Sequence, residues 1–420
     1  MTIRLAVAGG NRGSRFDEVI GGLEEQIELV AVCDPSEQVR AEWTDGRPEI
    51  QAYERFEDLV EDPTIDAVFI ATPMLLHAGQ ALTALNAGKH VLSEVIAAAT
   101  LEECHALVET VEKTDLTYMM AENYCYRREA MMVKNMADQG AFGDLTYAEG
   151  AYIHDCRDLM FNSDMTRTWR AGGSAAGTLG VGSTQSSRGN GYPTHSLGPI
   201  AQWLGINRGD RLARTTTFVT KSAARQEWAQ SVLPDGHFDQ TDMAWADFTD
   251  SATTLIETEQ GRVICLRKDS ASPRPHNMAQ HSLQGTNGAY ISGRFDGEDP
   301  LVWLDGVSPG VSPANFGYND KARPAGLETG GRAEWQPLWD LSEKYEHPYW
   351  KSLGEEAIRA GHGGGDYFVM YDFARACAGE IEPPIDVYDA VTWSSIFPIS
   401  LENVKRNGEP LDIPYFKPEG

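Results

Sequence analysis

Ile3-Arg4-Leu5-Ala6-Val7-Ala8-Gly9-Gly10-Asn11-Arg12-Gly13 is the stretch on which the fold of this chain turns. An apolar run enters a glycine turn, and a helical pattern over residues 12–25 follows. Strand, glycine turn and helix in that order open a Rossmann unit. Residues 8–13 match G-x-G-x-x-G at its second and third glycines, with Ala8 in the first place. Gly10 is expected to let the backbone approach a pyrophosphate, and Gly13 to let helix and strand pack closely. Asn11 and Arg12 then lie at a helix N-terminus that faces the phosphates. Alone, the motif is weak. Here residues 29–33 read as a second strand, and Asp34 ends it about 20 residues beyond the glycines, where a carboxylate accepts hydrogen bonds from both ribose hydroxyls. That carboxylate repels a 2′-phosphate, so NAD is expected rather than NADP.

Working outward, residues 67–71, 90–92 and 117–120 are further short apolar runs, and helical patterns at 75–87 and 100–112 alternate with them. Such alternation implies a parallel sheet covered on both faces. Past residue 145 or so the texture changes. Runs at 215–220, 244–248, 253–257, 263–267 and 282–284 alternate apolar with polar and are separated by turn residues, the pattern of an antiparallel sheet with one face covered. Helical patterns at 366–378 and 386–405 end the chain, and the Gly-, Ser-, Thr- and Ala-rich stretch 171–190 reads as a long loop of the kind that binds or covers ligands. The expected class is α/β. Residues 1–123 form an NAD-binding, doubly wound Rossmann domain; residues 124–420 form a substrate-binding α+β domain with a large, mainly antiparallel sheet, its last helices free to pack back on the first domain.

Composition narrows the partners. A chain of 420 residues with 41% hydrophobic and 23% charged residues is an ordinary globular protein with room for two or three domains. The formal net charge of -27 repels phosphate backbones and anionic lipid, which excludes nucleic acid and membranes as expected partners. No apolar run approaches the roughly 20 residues of a membrane span. The first strand begins at once after Met1-Thr2, leaving no room for a signal peptide, so the cytoplasm is the expected location. The 6 cysteines are scattered without a C-x-x-C pair, pointing to neither a disulfide framework nor a metal site.

The glycine turn, Asp34, Ala71-Thr72-Pro73 with His77, Gly88-Lys89-His90-Val91-Leu92-Ser93-Glu94 and Ala121-Glu122-Asn123 together resemble the Gfo/Idh/MocA oxidoreductases. The resemblance implies Thr72, His77 and Glu94 as cofactor-site residues. It also has departures. The family's Glu-Lys-Pro triplet, whose lysine is the usual acid/base, reads Glu94-Val95-Ile96, and Gly191 stands where an aspartate precedes the catalytic histidine. These departures are similar to one branch, the NAD-dependent glycosidases first described as α-N-acetylgalactosaminidases. Stretches such as 149–155, Tyr192-Pro193-Thr194-His195, 206–210, 272–275, 362–366 and 387–394 match that branch across nearly the whole chain, with His276 where the branch has tyrosine.

The resemblance implies hydrolysis by transient oxidation. Hydride leaves C3 of the sugar for NAD, a base takes the acidified C2 proton, the glycosidic oxygen is eliminated, water adds, and the hydride returns. No paired carboxylates are required. Val95 cannot take the O3 proton, so His195 is the candidate, with Tyr192 polarising the same oxygen. Tyr152 and His154, two apart on a strand, face the same way and present a base and its partner to C2. Glu122 is expected to hold a sugar hydroxyl, His276 to touch the leaving group or the ring, and Trp169-Arg170 to clamp the cofactor. Arg157, Arg167, Arg170 and Arg188 flank the flexible loop; together with His276 and the missing export signal they lean the substrate toward an anionic glycoside such as a sulfoquinovoside, with Arg167 as the binding residue. The alternatives are an α-N-acetylgalactosaminidase of the same mechanism, an NAD-dependent sugar dehydrogenase, and a non-catalytic NAD or sugar sensor. By analogy with the superfamily, a homo-oligomer is expected.

Overall fold

The computed structural model describes residues 2–164, 166, 168, 170, 188–232, 248–275, 278–295, 297–310 and 333–418. Six strands, β1 (Ile3–Ala8), β2 (Ile27–Cys33), β3 (Gln51–Tyr53), β4 (Ala67–Ile70), β5 (His90–Ser93) and β6 (Tyr118–Met120), form one sheet in the order β3-β2-β1-β4-β5-β6. Every pairing in it is parallel. The doubly wound Rossmann order follows from the apolar character of its strands: Ala67–Ile70 is buried at every position, which only a sheet covered on both faces provides.

The first helix departs from expectation. Instead of one helix over 12–25 there are Gly10–Gly13, a 3-10 turn at Ser14–Phe16 and Asp17–Gly21. The tighter turn brings Phe16 under the sheet, edge-on to Phe69 at 4.8 Å and fully buried, and Gly21-Gly22 end the helical run.

The second sheet holds β7 (Leu145–Ile153), β8 (Leu212–Val219), β9 (Ser251–Thr258), β10 (Val263–Asp269), β11 (Ala279–Gly285), β12 (Gly288–Ile291), β13 (Leu301–Leu304), β14 (Gln336–Pro337) and β15 (Leu411–Asp412), in the order β14-β13-β12-β11-β7-β10-β9-β8-β15. It is mixed rather than purely antiparallel, because β7 and β10 pair in parallel at its centre. A parallel pair needs a long crossover, and the chain between residues 153 and 263 supplies it. Of the strand expected at 244–248, only Phe248 lies among the described residues, and it is not in a strand.

One helix, Thr194–Leu204, crosses the inner face of this sheet. It lies flat because Gly150 of β7 has no side chain: a Cβ there would come within 2.2 Å of the Ser196 carbonyl oxygen. Strand β7 ends at Tyr152-Ile153 and the helix begins at Thr194-His195, so this contact brings the two stretches together. The last helix, Val387–Lys405, is capped by Asp386 and packs against the helix Leu101–Thr114 as well as β8. Its Ser394 hydroxyl accepts a hydrogen bond from the Ala97 amide at 3.0 Å, tying the C-terminal part to the first sheet. Among the described residues no helix is long and apolar enough to cross a membrane.

Candidate functional site

A cleft of about 660 Å³ runs along the C-terminal ends of β1, β2 and β4, the position where doubly wound folds bind dinucleotides. Gly9, Asn11, Arg12, Asp34, Thr72, His77 and Glu94 line it, with Tyr192 and Arg170 also in its wall. The turn is made by Gly9, which the motif reading passed over. Its φ of 91° is open to glycine, and a Cβ would fall 2.5 Å from the Ala71 carbonyl oxygen. Gly10 is constrained differently from expectation. The space where its side chain would go is filled by Val39 and Trp43, at 2.5 and 2.9 Å, so its glycine serves protein packing. Gly13 abuts Val7 of β1, with 2.3 Å to the nearest methyl.

Asp34 accepts from the Gly10 amide at 2.9 Å and from the Ser36 amide at 2.9 Å. Each oxygen keeps a lone pair for a ribose hydroxyl, so the carboxylate is fixed in place before any ligand arrives. His77 is anchored by the protein itself. Its Nδ1 meets the Ile96 carbonyl at 2.9 Å and its Nε2 the Thr72 carbonyl at 2.8 Å, in a side chain 1% exposed. Both nitrogens are occupied by the protein, so His77 braces two loops where it lines the cleft. Glu94 binds Arg12 at 2.6 Å, and Thr72 bonds Gln80 at 2.5 Å. The glycine turn, the helix start and the fixed carboxylate suit a dinucleotide: Gly9 to Arg12 would face its phosphates and Asp34 its ribose.

Beyond the cleft the second part of the chain assembles a cluster of rings. Tyr152 stacks on Tyr192 at 5.2 Å, and both meet His195 edge-on at 5.0 Å. His154 lies 5.8 Å from Tyr152 on the same side, just past the end of β7. Tyr124, not foreseen although it follows Asn123 directly, packs against His195 with its ring tilted by 34° at 4.2 Å. Three separate stretches of sequence, around residues 124, 152 and 192, therefore converge at one imidazole.

Glu122 occupies a different place from the one expected. It is fully buried, and His195 Nδ1 donates to its Oε1 at 2.7 Å. With Nδ1–H facing the carboxylate, Nε2 is left as the acceptor, the tautomer a proton-abstracting histidine needs. Burial pushes the Tyr152 and Tyr192 hydroxyls well above their ordinary range, so both keep their protons at neutral pH.

The arginines separate. Arg157 is bound through two nitrogens by Asp155, at 2.8 and 2.6 Å. Arg170 lines the cleft, and Arg188 is exposed. Arg167, Trp169 and His276 lie outside the described residues.

Comparison with known proteins agrees with both sheets. Residues 3–122 match the oxidoreductase family with the NAD-binding Rossmann fold, and residues 126–419 match the glycosyl hydrolase 109 C-terminal domain. Over 99% of its length the chain is 33% identical to a glycosyl hydrolase family 109 protein of Saccharopolyspora erythraea, covering 83% of that protein. It is 34% identical to another from Shewanella amazonensis, covering 85% of it. Apo levoglucosan dehydrogenase superposes with a TM-score of 0.72 at 20% identity, over 99% of this chain and 100% of that one; the likeness is one of fold. The chain is an enzyme with an NAD-binding Rossmann domain, and it belongs to glycosyl hydrolase family 109, an NAD-dependent glycosidase branch of the Gfo/Idh/MocA oxidoreductases.

Proposed function

We propose that this enzyme hydrolyses a glycoside by transient oxidation at C3 and elimination across C2 and C1, with residues 1–123 as the cofactor domain and 124–420 as the sugar domain. The observation that carries the reading is the His195–Glu122 pair, ringed by tyrosines, in a chain whose lysine position is Val95. When bound, NAD accepts and returns the C3 hydride. The protein's own groups manage the protons. His195 Nε2 takes the proton from O3, and Glu122 stabilises the imidazolium. Tyr192, holding its proton, donates to the same oxygen. At C2 the base is His154 rather than Tyr152, since the phenol keeps its proton and serves as the partner that binds the developing enolate. Glu122 is a positioning residue in this scheme.

The proposed substrate is an anionic glycoside such as a sulfoquinovoside. A neutral α-N-acetylgalactosaminide is the second reading, favoured by the engagement of Arg157 with Asp155. Arg170, close enough for its charge to act on both Tyr152 and Tyr192, supports the anionic one. We further propose a cytoplasmic homo-oligomer joined through the outer sheet face, where Phe218, Leu255 and Val263 are exposed.

The test is a panel of aryl glycosides, anionic and neutral, given to the protein with bound NAD and no added cofactor. Expected is steady aglycone release without accumulating NADH absorbance, and solvent deuterium at C2 of the product. Stoichiometric NADH with free sugars would establish the dehydrogenase instead, and NAD binding without turnover the sensor.

A further inference from the structure

Two lysines of this protein are equally buried, at 7% exposure, and only one has its charge accounted for. Lys89 ends in hydrogen bonds to the carbonyls of Asp62 and Ile65, at 2.7 and 2.8 Å. Lys268 ends in none among the described residues. Its position is fixed by register. In β10 it pairs with Tyr152 of β7 on one side and Ala252 of β9 on the other, and paired residues share a sheet face. Ile264 and Leu266 share that inward phase. The ammonium therefore stands one strand over from Tyr152, on the side of the ring cluster.

A second cation adjoins it. Arg225 is 5% exposed; its Nη2 donates to the Ser270 hydroxyl at 2.6 Å, and its Nε is buried without a partner. Ser270 lies two residues beyond Lys268, on the same face. The Ser270 carbonyl accepts from the Cys156 amide at 3.0 Å, and Cys156 Sγ lies 3.2 Å from His154 Nδ1. The two cations thus sit directly behind Cys156 and His154, which are both part-exposed.

Of the neighbouring acids, two are paired with arginines of their own and one is not. Asp250 accepts the amides of Ala223, Ala224 and Arg225, which leave its charge free to act on both cations. Asp269 is held by Arg267 and the Ala271 amide, and Asp155 by Arg157. The Cys156 thiol is pushed up by burial even though Lys268 and Arg170 draw it down, so it is no counter-ion at neutral pH. Two adjacent buried cations facing one carboxylate not paired with an arginine, Asp250, keep a net positive charge, which is costly unless something anionic joins them.

We propose that Lys268 and Arg225 form an anion subsite behind His154 that receives an oxyanion substituent of the glycoside: a sulfonate, sulfate, carboxylate or phosphate. The proposal rests on the glycosidase reading and sharpens its anionic form: the charge is read by these two residues rather than by the loop arginines.

The experiment compares the NAD-loaded wild type with Lys268→Met, Arg225→Gln and the control Lys89→Met. Thermal unfolding is followed in sodium sulfate, sodium methanesulfonate and sodium chloride at matched ionic strength. Sulfate and methanesulfonate are expected to raise the wild-type and Lys89→Met Tm above chloride and to leave Lys268→Met and Arg225→Gln unmoved. In chloride, Lys268→Met should be at least as stable as wild type, and Lys89→Met less stable. The second arm is the ratio of kcat/KM for 4-nitrophenyl α-sulfoquinovoside over 4-nitrophenyl α-N-acetylgalactosaminide. It is expected to fall about 10-fold or more in Lys268→Met, the range for losing one hydrogen bond to a charged group. An equal anion effect on all variants, or none on the wild type, would overturn the subsite, as would an unchanged ratio. Failure of the wild type to cleave either glycoside would instead overturn the glycosidase reading, leaving the Tm comparison to judge the subsite alone.

Discussion

The two sheets carry function in different ways. In the first, the cofactor cleft is built from backbone: a glycine turn at Gly9, a helix start at Gly10 and one carboxylate, Asp34, pinned by two amides. In the second, the proposed chemistry rests on side chains gathered from residues 122–124, 152–156, 192–195 and 268. A single close approach, at Gly150, lets the His195 helix lie against the strand that carries Tyr152. A backbone site is local and reads as a motif; a side-chain site exists only after packing. Substitutions in the first half should therefore move cofactor affinity, and those in the second the rate.

The comparison breaks most sharply at His195. Replacement by Asn removes the proposed base while keeping a polar group beside Glu122, and kcat is expected to fall by about 10²–10⁴-fold. NAD affinity, measured by calorimetry, should hardly change. Glu122→Gln should lose less, since the base remains and only its orientation and the imidazolium's stabilisation suffer. A His195→Asn variant with normal kcat would remove the second sheet from the chemistry.

Asp34 is the counterpart in the first half. Asp34→Asn keeps the shape but replaces a charged acceptor by a neutral amide. Affinity for NAD should fall by about 10- to 150-fold, and the preference over NADP should shrink with it. Aglycone release at saturating NAD should stay near the wild-type rate. Equal NAD and NADP affinity in the unaltered protein would sink the assignment.

These differences explain what could be read from the sequence. The short apolar strands of a parallel sheet, the glycine turn and Asp34 were legible because each is marked by residues within a few positions of one another. Gly10 and Gly13 were visible too, but Gly10 was misjudged, as its constraint comes from Val39 and Trp43 in a later helix. The parallel pairing of β7 with β10 was hidden, since alternation reports burial and says nothing of direction. His195, Tyr152 and Tyr192 came forward through resemblance. Glu122 was given a sugar hydroxyl because nothing local says that it faces an imidazole many residues away. Lys268 had a signal that went unused: Ile264, Leu266 and Lys268 share one phase of a strand, and a lysine in the inward phase is an anomaly.

Gly150 tests how the second site is held together, with an effect on stability rather than on rate alone. In Gly150→Ala the new methyl meets the Ser196 carbonyl at 2.2 Å, so the helix bearing His195 must lift. The cost expected for such overpacking is about 3 kcal/mol, seen as a lower midpoint in denaturant. The fraction that remains folded should bind NAD normally and turn over slowly, because Tyr152 and His195 no longer meet at 5.0 Å. Loss of NAD affinity without loss of kcat would invert the comparison.

The smallest effect concerns charge, where the two halves differ in kind. Burial, then the repulsion of Arg225, lowers the Lys268 ammonium from 10.5 to about 8. Below pH 8 the folded and the unfolded chain both carry this proton, and the folded state bears the full penalty of the buried charge. Between about 8 and 10.5 the folded chain releases the proton first, so the penalty fades as pH rises. Lys268→Met has no such charge at any pH. The Tm advantage of Lys268→Met over wild type should therefore be largest below pH 8 and shrink by several degrees toward pH 10, a change of roughly 2 kcal/mol at about 1.4 kcal/mol per pH unit. Taking the difference between the two proteins cancels the other groups that titrate in this range. Stabilisation of the wild type by sulfate should fade over the same interval, because the neutral amine no longer attracts an anion. For Lys89, whose ammonium is satisfied by two carbonyls, the variant should be the less stable protein at neutral pH. If the Lys268 gap is flat with pH while sulfate still binds, the ammonium keeps its proton in the fold and a nearby acid neutralises it.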